Sequence, residues 1–165
     1  MIPGQLWGVT PDEVAAALPC DAEFSGKVVV CDRAIDVGAP PHVAFPWLCQ
    51  LRAAPYSYDL LDNFGRRSPR TRDVKLVELA LGQRFMFAFR LIGFEPDKHI
   101  TLRTFAAAVT YSIKPAGECT RMHVRVRFAG RPIFLSPLVL GDMVMMRKQL
   151  LTLKELAEAE GAGTP

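Results

Sequence analysis

No stretch of this sequence approaches the roughly 20 consecutive apolar residues that a membrane-spanning helix needs. No CxxC pair occurs either. The four cysteines, Cys20, Cys31, Cys49 and Cys119, are widely spaced, which argues against zinc or thiol redox chemistry and for reduced thiols in a cytoplasmic protein. Gly26, Gly38, Gly65, Gly82, Gly93 and Gly117 stand alone, so there is no glycine-rich phosphate loop. Ser57, Ser68, Ser112 and Ser136 lack a nucleophile-elbow pattern, and His42, His99 and His123 share no ligand spacing. Neither a metal nor another cofactor is expected. The net charge is only +3, with no basic block, so nucleic acid is not an expected partner. The opening MIPGQLWGVTPDEV has no basic start and meets Asp12 and Glu13 before any long apolar run, unlike a secretory signal.

What is present is a globular composition. Half of the 165 residues are hydrophobic and 22% are charged, enough for one domain with its own core. Residues 1–25 read as an N-terminal extension, 26–160 as the main domain and 161–165 as a flexible tail. In the extension, Thr10-Pro11-Asp12-Glu13 is a capping box that starts a short helix, which Pro19 stops. Lys27 to Val37 is a strand with Val29, Cys31, Ile35 and Val37 on one face; Arg33 shares that face, through a bulge or a polar pocket contact. After Pro40-Pro41, a short helix from His42 to Arg52 carries Val43, Trp47, Leu48 and Leu51, with Pro46 inside it. A second short helix is expected around Tyr58 to Asn63.

From Lys75 to Phe128 the pattern is strand after strand. Phe85, Phe87, Phe89 and Leu91 alternate with polar or small residues, as one ladder. His99 to Phe105, Ala107 to Ile113 and Arg121 to Phe128 follow. In the last of these Met122, Val124, Val126 and Phe128 face one way, while Arg121, His123, Arg125 and Arg127 face the other, as a dry face and a wet face require. A long helix from Phe134 to Glu160 closes the chain. A meander cannot cover its own dry face, so this helix must do it. The fold class is therefore α+β, a curved antiparallel sheet of six or seven strands around a long C-terminal helix.

At about 100° per residue, Leu135, Leu138, Val139, Met145, Met146, Leu150, Leu153 and Leu156 share one side of that helix. Asp142 and Gln149 lie in the middle of the same side. A carboxylate on a dry face costs several kcal/mol unless paired or hydrated. It closes a buried pair with a partner such as Arg33, or it is a polar contact in a partly wet pocket, or the helix register exposes it. On the opposite side, Leu140, Val144 and Leu151 form a second stripe. Contact with residues 1–25, a homodimer seam and a mouth that meets lipid all account for it.

The motif Arg33-Ala34-Ile35-Asp36-Val37-Gly38-Ala39-Pro40, followed by Val43 and Trp47-Leu48, resembles the opening of the SRPBCC superfamily, which includes START, birch-pollen-allergen and polyketide cyclase-like domains. Tyr56-Ser57-Tyr58-Asp59 with Asp62-Asn63, and Trp7-Gly8 with Leu18-Pro19, are similar to a narrower, mostly bacterial branch. Phe45 departs from that branch, where a tryptophan often accompanies Trp47. The resemblance implies a helix-grip fold with a deep cavity between sheet and final helix. It also implies a lipid, polyketide or similar hydrophobic ligand, and in some members cyclisation or dehydration chemistry. No universal catalytic residue exists to carry over.

The cavity candidates are Arg33, Tyr56, Tyr58, Phe85, Phe87, Phe89, Met122, Val124, Val126, Phe128, Leu138, Asp142, Met145, Met146, Gln149 and Leu153. Asp59 and Asp62, at i and i+3 beside the tyrosines, serve acid–base work or, more commonly, cap a helix. Arg66, Arg67, Arg70 and Arg72 suit an anionic group or a solvated loop that pairs with nearby acids. The leading functional reading is binding of a small hydrophobic molecule without catalysis. A cyclase or dehydratase would need Asp142, Gln149, Arg33 or the tyrosines to converge on one point. The third reading is a dimeric interaction domain with a filled core.

Overall fold

The computed structural model describes residues 3–163, apart from the side chains of residues 60, 62, 132–134 and 136. Its centre is a pair of long antiparallel strands, β2 (Val28–Val37) and β7 (Cys119–Ala129), in register from Val28 opposite Ala129 to Val37 opposite Thr120. β7 pairs in turn with β6 (Ala107–Ala116), and the meander continues outward through β5 (His99–Arg103), β4 (Phe89–Glu95) and β3 (Arg84–Phe85). On the other edge, β1 (Leu6–Trp7) lies parallel to β2 at Asp32 and Arg33. The sheet thus has seven strands in the order β1-β2-β7-β6-β5-β4-β3. A register shift between Leu91 and Gly93 bends β4 as bulges do.

The sheet curves around α4 (Pro132–Gly163), which lies along its concave face. That face is built by alternation. Val29, Cys31, Val37, Val109, Ile113, Met122, Val124, Val126, Ile100 and Leu102 point to it and are buried, opposite Val139, Met146, Leu150, Leu153 and Leu156 of α4. One end is closed by α2 (Pro41–Cys49) and the turn of 3₁₀ helix that extends it over Gln50–Arg52. Pro41 opens α2 at a position where a missing N–H is harmless. Trp47 is buried against α4, its Nε1 donating to Glu160 Oε2 at 2.9 Å. Beyond the one-turn helix α3 (Asp59–Asp62), Arg70 pairs with Glu155 and Arg72 with Glu160, tying the loop to α4.

The convex face is not the wet face that the alternation predicts. Residues 8–24 lie across it, including α1 (Pro11–Ala15), whose Thr10 capping box is present. The outward row of β7 holds them. Arg121 grips both Glu13 oxygens at 2.7 and 2.9 Å and the Gly8 carbonyl at 2.6 Å. Arg125 donates to the carbonyls of Glu13, Val14 and Ala16 and to Asp21. His123 and Arg125 are buried in consequence. Gly8 completes the dock: its φ is +69° and an added Cβ would stand 2.3 Å from the Ala34 carbonyl oxygen, so only glycine fits.

A second correction concerns the phenylalanine ladder. Phe85, Phe87 and Phe89 do not share a strand. β3 ends at Phe85, Met86 and Phe87 take left-handed φ values of 44° and 64°, and the chain reverses so that Phe89 in β4 pairs with Phe85. Phe85 is core, whereas Phe87 is 50% exposed and packs edge-on against Phe64. A fixed period of two says nothing about where a strand stops, and Gly, Pro, Asn and Asp, the usual turn residues, are absent between Phe85 and Phe89.

Candidate functional site

A cavity of about 430 Å³ opens between the sheet and the first half of α4. Its floor comes from Phe89 of β4, Val109 and Tyr111 of β6, and Val126 and Phe128 of β7. Its roof is Pro137, Leu138, Gly141, Asp142, Met145, Met146 and Gln149 of α4, and Pro55, Ser57 and Met86 close one side. Pro137 and Gly141 contribute little bulk to the roof. An added Cβ at Gly141 would meet nothing within 4 Å, so this turn borders open space.

Two polar pairs sit in this otherwise greasy wall. The first joins Arg33 of β2 to Asp142 of α4, with Arg33 Nη2 at 2.7 Å from Asp142 Oδ2. The Arg33 side chain is fully buried, while that of Asp142 keeps 21% of its surface exposed. The contact is ionic but poorly aligned: Asp142 Oδ2 accepts no hydrogen bond, and Arg33 Nε and Nη1 have no partner among the described residues. Arg33 Nη2 also reaches the Gly4 carbonyl at 3.4 Å. Burial raises the Asp142 carboxyl above its ordinary value of 3.8, and the Arg33 charge opposes that rise.

The second pair is Tyr111 with Gln149. The Tyr111 hydroxyl donates to Gln149 Oε1 at 2.7 Å, and Gln149 Nε2 donates to the Pro55 carbonyl at 2.6 Å. The thioethers of Met86 and Met146 stand 4.0 and 3.9 Å from the same hydroxyl. Burial pushes the phenol well above its usual range, and the nearby Asp142 charge adds to this. Asp142 and Gln149 are seven residues apart, two turns or about 10 Å along the helix. Across the sheet, Tyr111 lies opposite Val124, which lies opposite Arg33, so the two pairs are separated on the floor as well.

Of the residues singled out from sequence, Phe89, Val126, Phe128, Leu138, Asp142, Met145, Met146 and Gln149 line the cavity. Arg33 reaches it through Asp142. Phe85, Met122, Val124 and Leu153 are buried core beside it rather than lining, Phe87 is on the outside, and Tyr58 is exposed. Tyr56 is buried but lines a neighbouring cleft. Asp59 accepts from the Ser68 amide and hydroxyl at 3.0 and 2.5 Å, pinning the loop; the Asp62 side chain lies outside the described residues. Tyr111 also lines the cavity and is not among the residues singled out from sequence, although it shares the face of Val109 and Ile113. A tyrosine inside an apolar strand was the available signal, because a buried hydroxyl demands a partner. No group of three or more metal-ligating side chains occurs among the described residues.

No protein-family model matches this sequence, and no curated protein does. Solved structures do match. A protein from Arthrobacter aurescens aligns with a TM-score of 0.51 at 11% identity, covering 79% of this chain and 86% of its own. A Polyketide_cyc-like protein from Corynebacterium glutamicum aligns at 0.50 and 16% identity, covering 82% and 95%. A Mesorhizobium loti protein aligns at 0.50 and 17%, covering 81% and 98%. At such identities the likeness shows the fold alone, one shared with a Polyketide_cyc-like protein.

Proposed function

We propose that this chain binds a small, mostly apolar molecule carrying a hydroxyl or phenol donor, held between the sheet and α4. The observation that carries the reading is the cavity itself, whose volume of about 430 Å³ lies within the range of small-molecule sites and whose wall is mostly apolar. The polar atoms in that wall are chiefly acceptors. Tyr111 gives its proton to Gln149, so its oxygen faces a ligand with lone pairs, and Asp142 adds a carboxylate only partly engaged by Arg33. A ligand hydroxyl suits them. Met86, Met145 and Met146 offer adaptable, polarizable surface for an irregular apolar body. Binding is favoured over catalysis because the two polar pairs stand apart on both the sheet and the helix.

The test is native mass spectrometry before and after organic extraction, together with titration of an environment-sensitive apolar dye. The dye is expected to bind the extracted protein. Gly141→Phe, which fills open space at the roof, is expected to abolish that binding while the protein remains folded. A protein that takes up neither cargo nor dye would overturn the reading, as would a Gly141→Phe variant that binds dye like the parent.

A further inference from the structure

Beside the apolar cavity lies a second cleft, also of about 430 Å³, of different chemistry. Its wall includes Tyr56, Arg67, Arg70, Lys148 and Thr152. The two spaces share one lining residue, Ser57. The partition between them is the segment Pro55–Tyr56–Ser57. Pro55 faces the apolar cavity, where Gln149 holds its carbonyl, and Tyr56 faces the cleft. Tyr56 adopts a φ of +56°, a left-handed conformation that a bulky residue takes only when its surroundings impose it. On α4 the same division recurs, because Met145 and Gln149 line the cavity while Lys148 and Thr152 line the cleft.

The charges in the cleft are not balanced internally. Arg70 is paired with Glu155, and Asp59 is occupied by Ser68. The side chains of Arg67 and Lys148 have no ion-pair or hydrogen-bond partner among the described residues; the Lys148 carbonyl accepts from Thr152 Oγ1. Tyr56, only 1% exposed, has a hydroxyl buried without a hydrogen-bond partner. An unpaired buried hydroxyl beside two uncommitted cations is an arrangement that an oxyanion completes: it accepts from the phenol and from the cations.

We propose that the cleft is the acid subsite of the same ligand: an amphipathic molecule whose apolar body fills the cavity and whose terminal oxyanion, a carboxylate or a phosphate monoester, passes Ser57 to Tyr56, Arg67 and Lys148. This rests on the binding reading above and adds to it the charge of the ligand and the direction in which it lies.

Calorimetry with decanoate, decyl phosphate and decanol tests it, since the three share a chain and differ in the head. One or both acids are expected to bind about tenfold more tightly than decanol, with the advantage shrinking at high ionic strength. Which acid leads separates a carboxylate from a phosphate head. Arg67→Ala combined with Lys148→Ala, both at exposed positions, is expected to erase the preference; Tyr56→Phe is expected to reduce it. If both acids bind no better than decanol, and Gly141→Phe abolishes all three, the acid subsite is wrong and the apolar site stands. If none of the three binds, both readings fall together.

Discussion

Asp32 and Arg33 are consecutive residues of β2, and the strand turns them to opposite faces of the sheet. On the convex face Asp32 Oδ1 accepts from His123 Nε2 at 2.7 Å and from Arg125 Nε at 2.8 Å, and Arg125 spends its remaining donors on Asp21 and three carbonyls. On the concave face Arg33 has a single, misaligned carboxylate and two donors with nothing to bond among the described residues. Both arginines are buried. The satisfied network fastens the N-terminal segment to the sheet. The unsatisfied one borders a cavity. A buried charge that the fold does not fully serve is an economical sign of a site meant to meet something else.

The comparison breaks most visibly at its well-satisfied end. Asp32→Ala leaves Arg125 and His123 without their shared acceptor and is expected to cost about 3–5 kcal/mol, read as a lowered midpoint in urea unfolding. A loss under about 1 kcal/mol would mean that the convex network is dispensable. On the concave side, replacing both members, Arg33→Met with Asp142→Leu, is expected to leave stability within about 1 kcal/mol of the parent or to raise it, because a poorly served ion pair gives little back for its desolvation. Ligand or dye affinity should fall in the same variant. Equal destabilisation by the two replacements would erase the distinction. Tyr111→Phe strands Gln149 Oε1 and is expected to cost about 1–2 kcal/mol, with a measurable change in dye affinity.

The smallest effect is in acid, where the two faces respond with opposite sign. Glu13, held by Arg121, has its carboxyl lowered from 4.5 to about 2. Its contribution to stability is complete above its unfolded value and is lost as the pH falls toward about 2. Asp142 is raised by burial above 3.8, so the folded state holds its proton more tightly and stability increases as the pH falls through that raised value toward 3.8. Glu13→Gln is therefore expected to weaken the acid dependence of unfolding, and Asp142→Asn to remove the opposing gain. Identical pH profiles for parent and Asp142→Asn would show that the carboxyl titrates alike in folded and unfolded chains.

Sequence pattern revealed the frame of this arrangement and less of its chemistry. The parity of β2 and β7, the capping box at Thr10 and the apolar side of α4 are local, repeated signals, and each matches the structure. The conflict of Asp142 with its apolar neighbours marked the position as unusual, since a misplaced charge is visible without coordinates, but left the pair with Arg33 as one alternative among three. Position along the axis was harder to read. Leu153 and Leu138 share a helix face, yet Leu153 is core and Leu138 stands at the cavity, because depth depends on where the sheet beneath curves away. The alternation of Arg121, His123, Arg125 and Arg127 with apolar residues correctly separates two faces but cannot say that a distant segment covers the polar one. The cleft at Tyr56 depends on a backbone reversal that no periodicity encodes.

The two-residue strand β1 also determines how this molecule behaves toward copies of itself. β2 runs for ten residues and would otherwise be the sheet's border, offering a flat row of backbone groups to any passing strand. β1 covers only Asp32 and Arg33, but the Asp32 amide is engaged by the Gln5 carbonyl at 2.7 Å, and the Gln5 side chain takes the Val30 carbonyl at 3.1 Å. At the far border β3 is just as short, ending in the tight turn at Met86. The fold therefore presents two stubs where open sheets commonly expose their stickiest surface, and the arginine row that holds the N-terminal segment in place is also a guard against aggregation.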